Sequence, residues 1–485
     1  MPEQSSQLFR KLPQVGELLD RPEFAALERT YSRKLVVEHV RSALEELRRD
    51  LSAGLHTESS LEQELREIGS KIEQDLRTAM RTSLRPVINA TGVILQTNLG
   101  RAPLSQEAIR QISDIARGYC NLELDLDSGE RGRRDMHVQQ LILNVLALRA
   151  KCGHEAFAGK AATVVNNCAA ACFLALNSLA EGGEVIVSRG ELVEIGGGFR
   201  VPDILRKSGA VLREVGTTNR TRLSDYEAAI APATRLILRV HRSNFRMEGF
   251  TERPSLEELR DLGERVSLPV FVDQGTGAVV ELGGLGIESE SSLTRSVASG
   301  VALVACSGDK LLGGPQCGIL VGAERYIERI RANPLFRAMR ADKLTYAALE
   351  VTLLAYLSGR EETLPAIQMM HASAGEIRER CLAMAEALRS SGLSADVVET
   401  GSVLGGGTTP GASLPSFAVS LRHPAESESA FAARLRNLNP AVMARSHEGR
   451  VLLDLRTVPP AADVELTKLL KQAVESAGRD LKDHP

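Results

Sequence analysis

From about residue 86 onward, short runs of Val, Ile, Leu and Ala recur between longer stretches of helical spacing, and this alternation restricts the fold more than any other property of the chain. The runs are ATVVNN (162–167), EVIVSR (184–189), VLREV (211–215), RLILRVH (235–241), PVFVDQG (269–275), ALVACSG (302–308) and CGILVG (317–322). A strand that is apolar on both faces must be covered on both, and strands joined through helices run parallel. The expected architecture is α/β: a mostly parallel seven-stranded sheet between helical layers.

The flanks differ. Val36, Val37, Val40, Leu44, Leu47 and Leu51, then Leu61, Leu65, Ile68, Ile72, Leu76 and Met80, repeat every three or four positions and predict two amphipathic helices. Arg77, Arg81 and Arg85 have the spacing of a ridge on one helix face, whether solvated or turned to phosphate. Toward the other end, SFAVSL (416–421), AVMARS (441–446) and RVLLDLR (450–456) predict strands, with Glu448 and Gly449 as a hairpin tip and a helix over DVELTKLLKQAVES. The expected domains are a helical one over 1–85, a large α/β one over 86–360 and a smaller α+β one over 361–485.

Lys and Arg number 59 against 62 Asp and Glu, so no global field marks a polyanion partner, and any such contact relies on local patches. The first residues lack a secretory pattern and no apolar run reaches the roughly 20 residues that span a bilayer, so a cytoplasmic protein with no membrane segment is expected. Seven cysteines without framework spacing suggest reduced thiols. Cys168 and Cys172 are four apart, but no second ligand pair accompanies them and no metal is expected.

In open α/β sheets, ligands bind beyond the carboxyl ends of the strands. Polar residues gather there: Asn166 and Asn167 after the first run, Ser188 and Glu191 after the second, Thr217 and Asn219 after the third, and His241, Ser243 and Asn244 after the fourth. Asp273 ends the fifth run, and Ser307, Asp309 and Lys310 follow the sixth. One such residue is ordinarily a helix cap; six successive strand ends bearing them describe a site. Lysine, carboxylate and a helix start that accepts phosphate together suit pyridoxal 5′-phosphate. Lys310 would form the imine and Asp273 face the ring nitrogen. The turn of Asn167, Cys168 and Ala169 would hold the phosphate with Ser307, while Gly308, Gly313 and Gly314 give the ring room. The other reading makes Lys310 a surface turn residue paired with Asp309. No G-x-x-x-x-G-K-[ST] phosphate loop occurs. Arg101, Arg134, Arg337 and Arg340 suit oxyanions if they converge on that cofactor.

Five segments carry a resemblance: VINATGVILQTNLGRAPLS, SRGELVEIGGGFRVPD, REVGTTNRT, SGDKLLGGPQCG and PLFRAMRADK. They are similar to bacterial selenocysteine synthases, the L-seryl-tRNA(Sec) selenium transferases, pyridoxal-phosphate enzymes of the aspartate aminotransferase fold type (fold type I). The likeness runs from LFRKLPQVGELL to RVLLDLRTV. It implies that seryl-tRNA(Sec) becomes selenocysteinyl-tRNA(Sec) through an aminoacrylyl intermediate, with selenophosphate as donor. It makes Lys310 the cofactor lysine and the α-proton base, with Asp309 beside it, and Asp273 the ring-nitrogen partner. It places Asn167, Cys168, Ala169, His241 and Ser307 around the cofactor and assigns Arg101, Arg337 and Arg340 to the donor's phosphate-like group. The 1–85 region would bind tRNA, with Arg77, Arg81 and Arg85 as contacts, and the chain would form a homo-oligomer, dimer-based and able to close into a ring of dimers. Gln96, Cys168, Gln274 and Thr276 depart from the family pattern. Two alternatives stay open: a pyridoxal-phosphate lyase or β-replacement enzyme acting on a free amino acid, and a non-catalytic RNA-binding scaffold.

Overall fold

The computed structural model describes residues 8–150, 154–195, 198–280, 282–283, 292–408 and 411–480. It separates into two compact units, Met1–Pro86 and Val87–Pro485.

The first unit contains α1 (Val15–Leu19), α2 (Pro22–Thr30), α3 (Arg33–Ser52) and α4 (Glu58–Ala79). The two amphipathic helices anticipated from spacing are α3 and α4, capped by Ser32 and Thr57, whose side chains accept from Leu35 and Ser60 N–H. Their apolar stripes, including Val36, Val40, Leu44, Leu61, Ile68, Ile72 and Leu76, meet Leu18 and Phe24 in one core. Burying each such side chain stabilises by about 1.5–3 kcal/mol. The helices α1 and α2 are too short to show a periodic signal. The expected arginine ridge does not form, because α4 stops at Ala79 with Met80 as its cap. Only Arg77 is helical, and it pairs with Glu73, one turn earlier. Arg81 and Arg85 lie in the non-helical approach to Pro86, a residue that disfavours helix just before it.

In the second unit the seven expected strands are present as β2 (Lys160–Val165), β3 (Glu184–Ser188), β4 (Val211–Val215), β5 (Thr234–Val240), β6 (Val270–Gly275), β7 (Leu303–Ser307) and β8 (Gly318–Ala323). They form one sheet in the order β2-β8-β7-β6-β5-β3-β4. β8 runs antiparallel to β2 and β7; the other neighbouring pairs are parallel. Ile186 enters the core on one face of the sheet, while Val185 and Val187 enter the core on the other. That two-sided burial is why these strands read as continuous apolar runs. β4 lies at an edge, with four of its five residues exposed or half-buried.

A second, four-stranded antiparallel sheet, β9-β10-β13-β12, is built from β9 (Ser394–Val403), β10 (Ser413–Arg422), β12 (Arg445–His447) and β13 (Arg450–Asp454). Glu448 and Gly449, at φ 49° and 76°, make the tip between β12 and β13. β9 carries Asp396, Glu399, Thr400 and Gly401 and gives no apolar run, yet it pairs along its full length with β10. The segment after residue 86 joins this layer: β1 (Val87–Asn89) pairs parallel with β11 (Ala441–Met443), and Ile88 and Ala90 enter its core.

Asp454 locks that junction. Its carboxylate accepts from Ser402 Oγ at 2.7 Å, Ser416 Oγ at 2.8 Å and Arg456 N at 3.0 Å, and its own N–H donates to Ala90 O at 2.9 Å. A Cβ on Gly92, at φ 72°, would lie 2.2 Å from Asp454 Oδ2, so no side chain fits there. Asp454→Ala strands these buried donors and is expected to lower stability by about 3 kcal/mol or more, read as a shifted denaturant midpoint, whereas exposed Asp396→Ala leaves it nearly unchanged.

Candidate active site

Beyond the carboxyl ends of the parallel strands lies a cavity of about 360 Å³. Arg101, Asn167, Cys168, Ala169, His241, Asp273, Ser307 and Lys310 all line it, so the residues singled out at five separate positions along the chain meet here. Lys310 is only 8 % exposed, which removes the surface-turn reading. Its Nζ donates to Gly407 O at 2.9 Å, from the loop joining β9 and β10.

Asp273 stands two residues before the end of β6, beside β7, which delivers Ser307 and Lys310. A Cβ on Gly275, at φ 71°, would be 3.7 Å from Asp273 Oδ1 and 4.0 Å from Lys310 Nζ, so its absence leaves open the space between carboxyl and amine. Burial raises the Asp273 carboxyl above its ordinary range, against the opposing charge of Lys310 and the contacts of Cys172, His241 and Cys168. Cys168 Sγ lies 3.8 Å from Asp273 Oδ1. Cys168, Cys172 and Asp273 place their ligand-type atoms within 4.8 Å of one another. The Cys168 contact and burial push the Cys172 thiol well up, so the thiols act as weak donors beneath the carboxylate.

Asn167 caps the helix Cys168–Ala180 through its Oδ1, which accepts from Ala170 N at 2.8 Å, and its carbonyl takes Ala171 N–H. The N–H groups of Cys168 and Ala169 are the two that an anion at this helix start would meet.

Asp309 is 5 % exposed and receives Arg101 Nη1 at 2.9 Å on one oxygen and the Ser307 hydroxyl on the other. Arg101 has φ 64°, a left-handed backbone unusual for a non-glycine residue, and follows Gly100 at φ 90°. The turn aims its guanidinium at Asp309. The Ser307 hydroxyl hydrogen, expected for a phosphate, is committed to Asp309.

Gly308, Gly313 and Gly314 do not give the clearance expected of them. A Cβ on Gly308 would meet Cys317 Sγ and Pro315 O; the position in Gly313 faces Leu364, and that in Gly314 faces Thr352 and the Gly308 carbonyl. These glycines let the turn pack on its own protein. Among the described residues, the two that open toward the Lys310 amine are Gly275 and Gly407.

The other arginines are elsewhere. Arg134, Arg337 and Arg340 line a second cavity of about 490 Å³ with Arg131 and Arg133, not the one holding Lys310. Its hub is Glu123, unmarked by any local motif, which takes Arg134 Nε at 2.7 Å, Arg131 Nη2 at 2.8 Å and Arg340 Nη1 at 3.2 Å. Arg134 and Arg131 hold the Glu123 carboxyl below its ordinary range.

Residues 87–459 match the family model for L-seryl-tRNA selenium transferase, and residues 9–48 match that for the selenocysteine synthase N terminal. The chain belongs to the L-seryl-tRNA selenium transferase family. It is 42 % identical over 453 residues to the L-seryl-tRNA(Sec) selenium transferase of Aquifex aeolicus, covering 93 % of this chain and 95 % of that one. Against that of Moorella thermoacetica it is 41 % identical over 479 residues, 98 % of each. Among solved structures, D-glucosaminate-6-phosphate ammonia-lyase shares the fold, with TM-score 0.56 at 21 % identity over 83 % of this chain and 99 % of that one.

The family is pyridoxal-phosphate-dependent and so is this chain. The cavity fits that group on its own evidence. Ser243, 4 % exposed, lines it with an Oγ that has no hydrogen-bond partner among the described residues, and Gly275 keeps open the gap between amine and carboxyl. Ser243 was visible only as one of several polar strand-end residues. Gln274, a departure from the family pattern, turns into the DQGTG loop, where its Oε1 accepts from Gly277 N at 2.8 Å and its Nε2 donates to Thr276. Of the SRGELVEIGGGFR motif, Gly196 and Gly197 lie outside the described residues.

The Asp273 shift has a pH consequence for the cofactor-free protein. A raised carboxyl pKa makes the folded state bind more protons than the unfolded one, so this contribution to stability falls as pH rises from about 4. Asp273→Asn is expected to flatten that decline; thermal midpoints measured across pH for both proteins check it, and parallel curves contradict it.

Proposed function

We propose that this chain converts seryl-tRNA(Sec) to selenocysteinyl-tRNA(Sec) with selenophosphate as selenium donor. The observation that carries the reading is the buried Lys310 amine and the half-buried Asp273 carboxyl lining one cavity on either side of Gly275, beside a helix start able to take a phosphate. Bound there, pyridoxal phosphate would withdraw electrons from the seryl Cα–H bond. Asp273 would hold the proton on the ring nitrogen, Cys168 and Ala169 N–H the phosphate, and Ser243 Oγ and His241 would complete the wall. As a free amine, Lys310 Nζ would be placed to take the seryl α-proton. Little water reaches the amine.

Arg101, held by Asp309, is the arginine that stands in the same cavity as Lys310 among the described residues. Arg337 and Arg340 line the second cavity, so we assign them to the donor's phosphate-like group as residues offered to the site of another copy, in a homo-oligomer built from dimers. The match of residues 9–48 to the selenocysteine synthase N terminal supports an aminoacyl-tRNA substrate over a free amino acid, with the helical unit as its binding element and the cytoplasm as its setting. Arg77, Arg81 and Arg85 enter that proposal as separate surface cations.

Turnover of seryl-tRNA(Sec) with selenophosphate tests the reading. Lys310→Ala is expected to abolish it, and comparable turnover of free serine would favour the lyase alternative. Removing Arg101 or Arg340 is expected to cost about 2–4 kcal/mol of transition-state stabilisation. Mixing Lys310→Ala with Arg337→Ala/Arg340→Ala protein under exchange is expected to restore activity, up to about a quarter of wild type for random dimers with one intact site in each mixed pair. No recovery from subunits shown to exchange would contradict the shared site.

A further inference from the structure

The amine of Lys310 rests on a loop that no part of the assignment above uses. β9 and β10 form a hairpin of ten-residue strands, and its tip carries Leu404, Gly405, Gly406, Gly407 and Thr408 from the antiparallel sheet to the mouth of the parallel one. The tip is pinned from below. Ile94 N donates to Val403 O at 3.0 Å, Leu95 N to Leu404 O at 2.8 Å and Val403 N to Gly92 O at 2.9 Å, while Leu404 and Thr408 are buried. Thr408 Oγ1 closes the turn on Gly405 O at 2.6 Å. The glycines are required by space as well as by backbone. A Cβ on Gly405, at φ 113°, would lie 2.6 Å from Leu95 O, and one on Gly407, at φ 81°, would lie 3.0 Å from Lys310 Nζ.

We infer that the Gly407 carbonyl is the rest position of the Lys310 amine: it holds Nζ before the cofactor bonds to it and receives it again when the seryl amine takes its place. Gly407 is thus a positioning residue, acting through Lys310. A backbone carbonyl suits the task because it accepts an N–H without competing for the α-proton, and because the pinned tip cannot follow the lysine into the cavity. The hairpin sets where the base waits, and so how far it stands from the carbon it must deprotonate. The inference rests on Lys310 being the cofactor lysine.

The test compares Gly407→Ala with Gly411→Ala. Gly411, at φ 79° in the same loop, has only Arg246 Cδ at 3.9 Å from its Cβ position, so the second variant carries the backbone strain without the approach to Nζ. Two quantities are read: the rate at which cofactor-free protein takes up pyridoxal phosphate, followed by the absorbance of the lysine-bound form, and the exchange of seryl α-deuterium with water on seryl-tRNA(Sec). The added methyl would move Nζ by a few tenths of an ångström, which is expected to slow both by about threefold or more in Gly407→Ala, with KM for seryl-tRNA(Sec) within about twofold of wild type. Gly411→Ala is expected to match wild type. Wild-type rates in Gly407→Ala, or equal slowing in both variants, would overturn the inference. A wild-type absorbance change that survives Lys310→Ala would overturn instead the cofactor-lysine reading on which it rests.

Discussion

The site depends on holding one buried amine and one half-buried carboxyl together near the ends of two neighbouring parallel strands. β6 carries Asp273 two residues before its end and β7 leads through Ser307 to Lys310, so their pairing fixes the separation of the two charges. Isolated, each group would be costly to bury. Here the amine has the Gly407 carbonyl, the carboxyl has the Lys310 charge and two thiols, and Gly275 keeps the ground between them clear. Burial still leaves the carboxyl raised. A cationic ring nitrogen placed against Asp273 would relieve that strain, which makes the cofactor-free site a receptor for a group of that kind.

The strands and their terminal residues were legible because burial on both faces writes itself into local composition: Val185, Ile186 and Val187 are apolar whichever way they point. Lys310, Asp273 and Asn167 were legible because a sheet of one direction delivers its strand ends to one place. Long-range partnerships were not. Glu123 collects three arginines from across the sequence, and Asp454 collects two serines and an arginine N–H, without a motif around either. β9 escaped notice because half-exposed residues such as Glu399 and Thr400 do not form an apolar run. The helical spacing of Arg77, Arg81 and Arg85 misled because spacing cannot report where a helix stops. Glycine roles were the least legible: the space around Gly308 is filled by Cys317, and that around Gly407 by the amine of Lys310, and only the fold distinguishes them.

The arginines divide the chemistry physically. Arg101, bent into a left-handed turn and tied to Asp309, belongs to the cavity of its own chain. Arg337 and Arg340 line a second cavity, where Arg340 pairs with Glu123. A chain with almost no net charge can still meet anions where several arginines line one cavity, as they do in the second one.

The most direct measurement is borohydride reduction of the protein loaded with pyridoxal phosphate, followed by mass-spectrometric location of the adduct. The account predicts a single modified lysine, Lys310, and no adduct when unloaded protein is treated alone. An adduct confined to another lysine, or none at all in protein shown to be folded and supplied with cofactor, would contradict it.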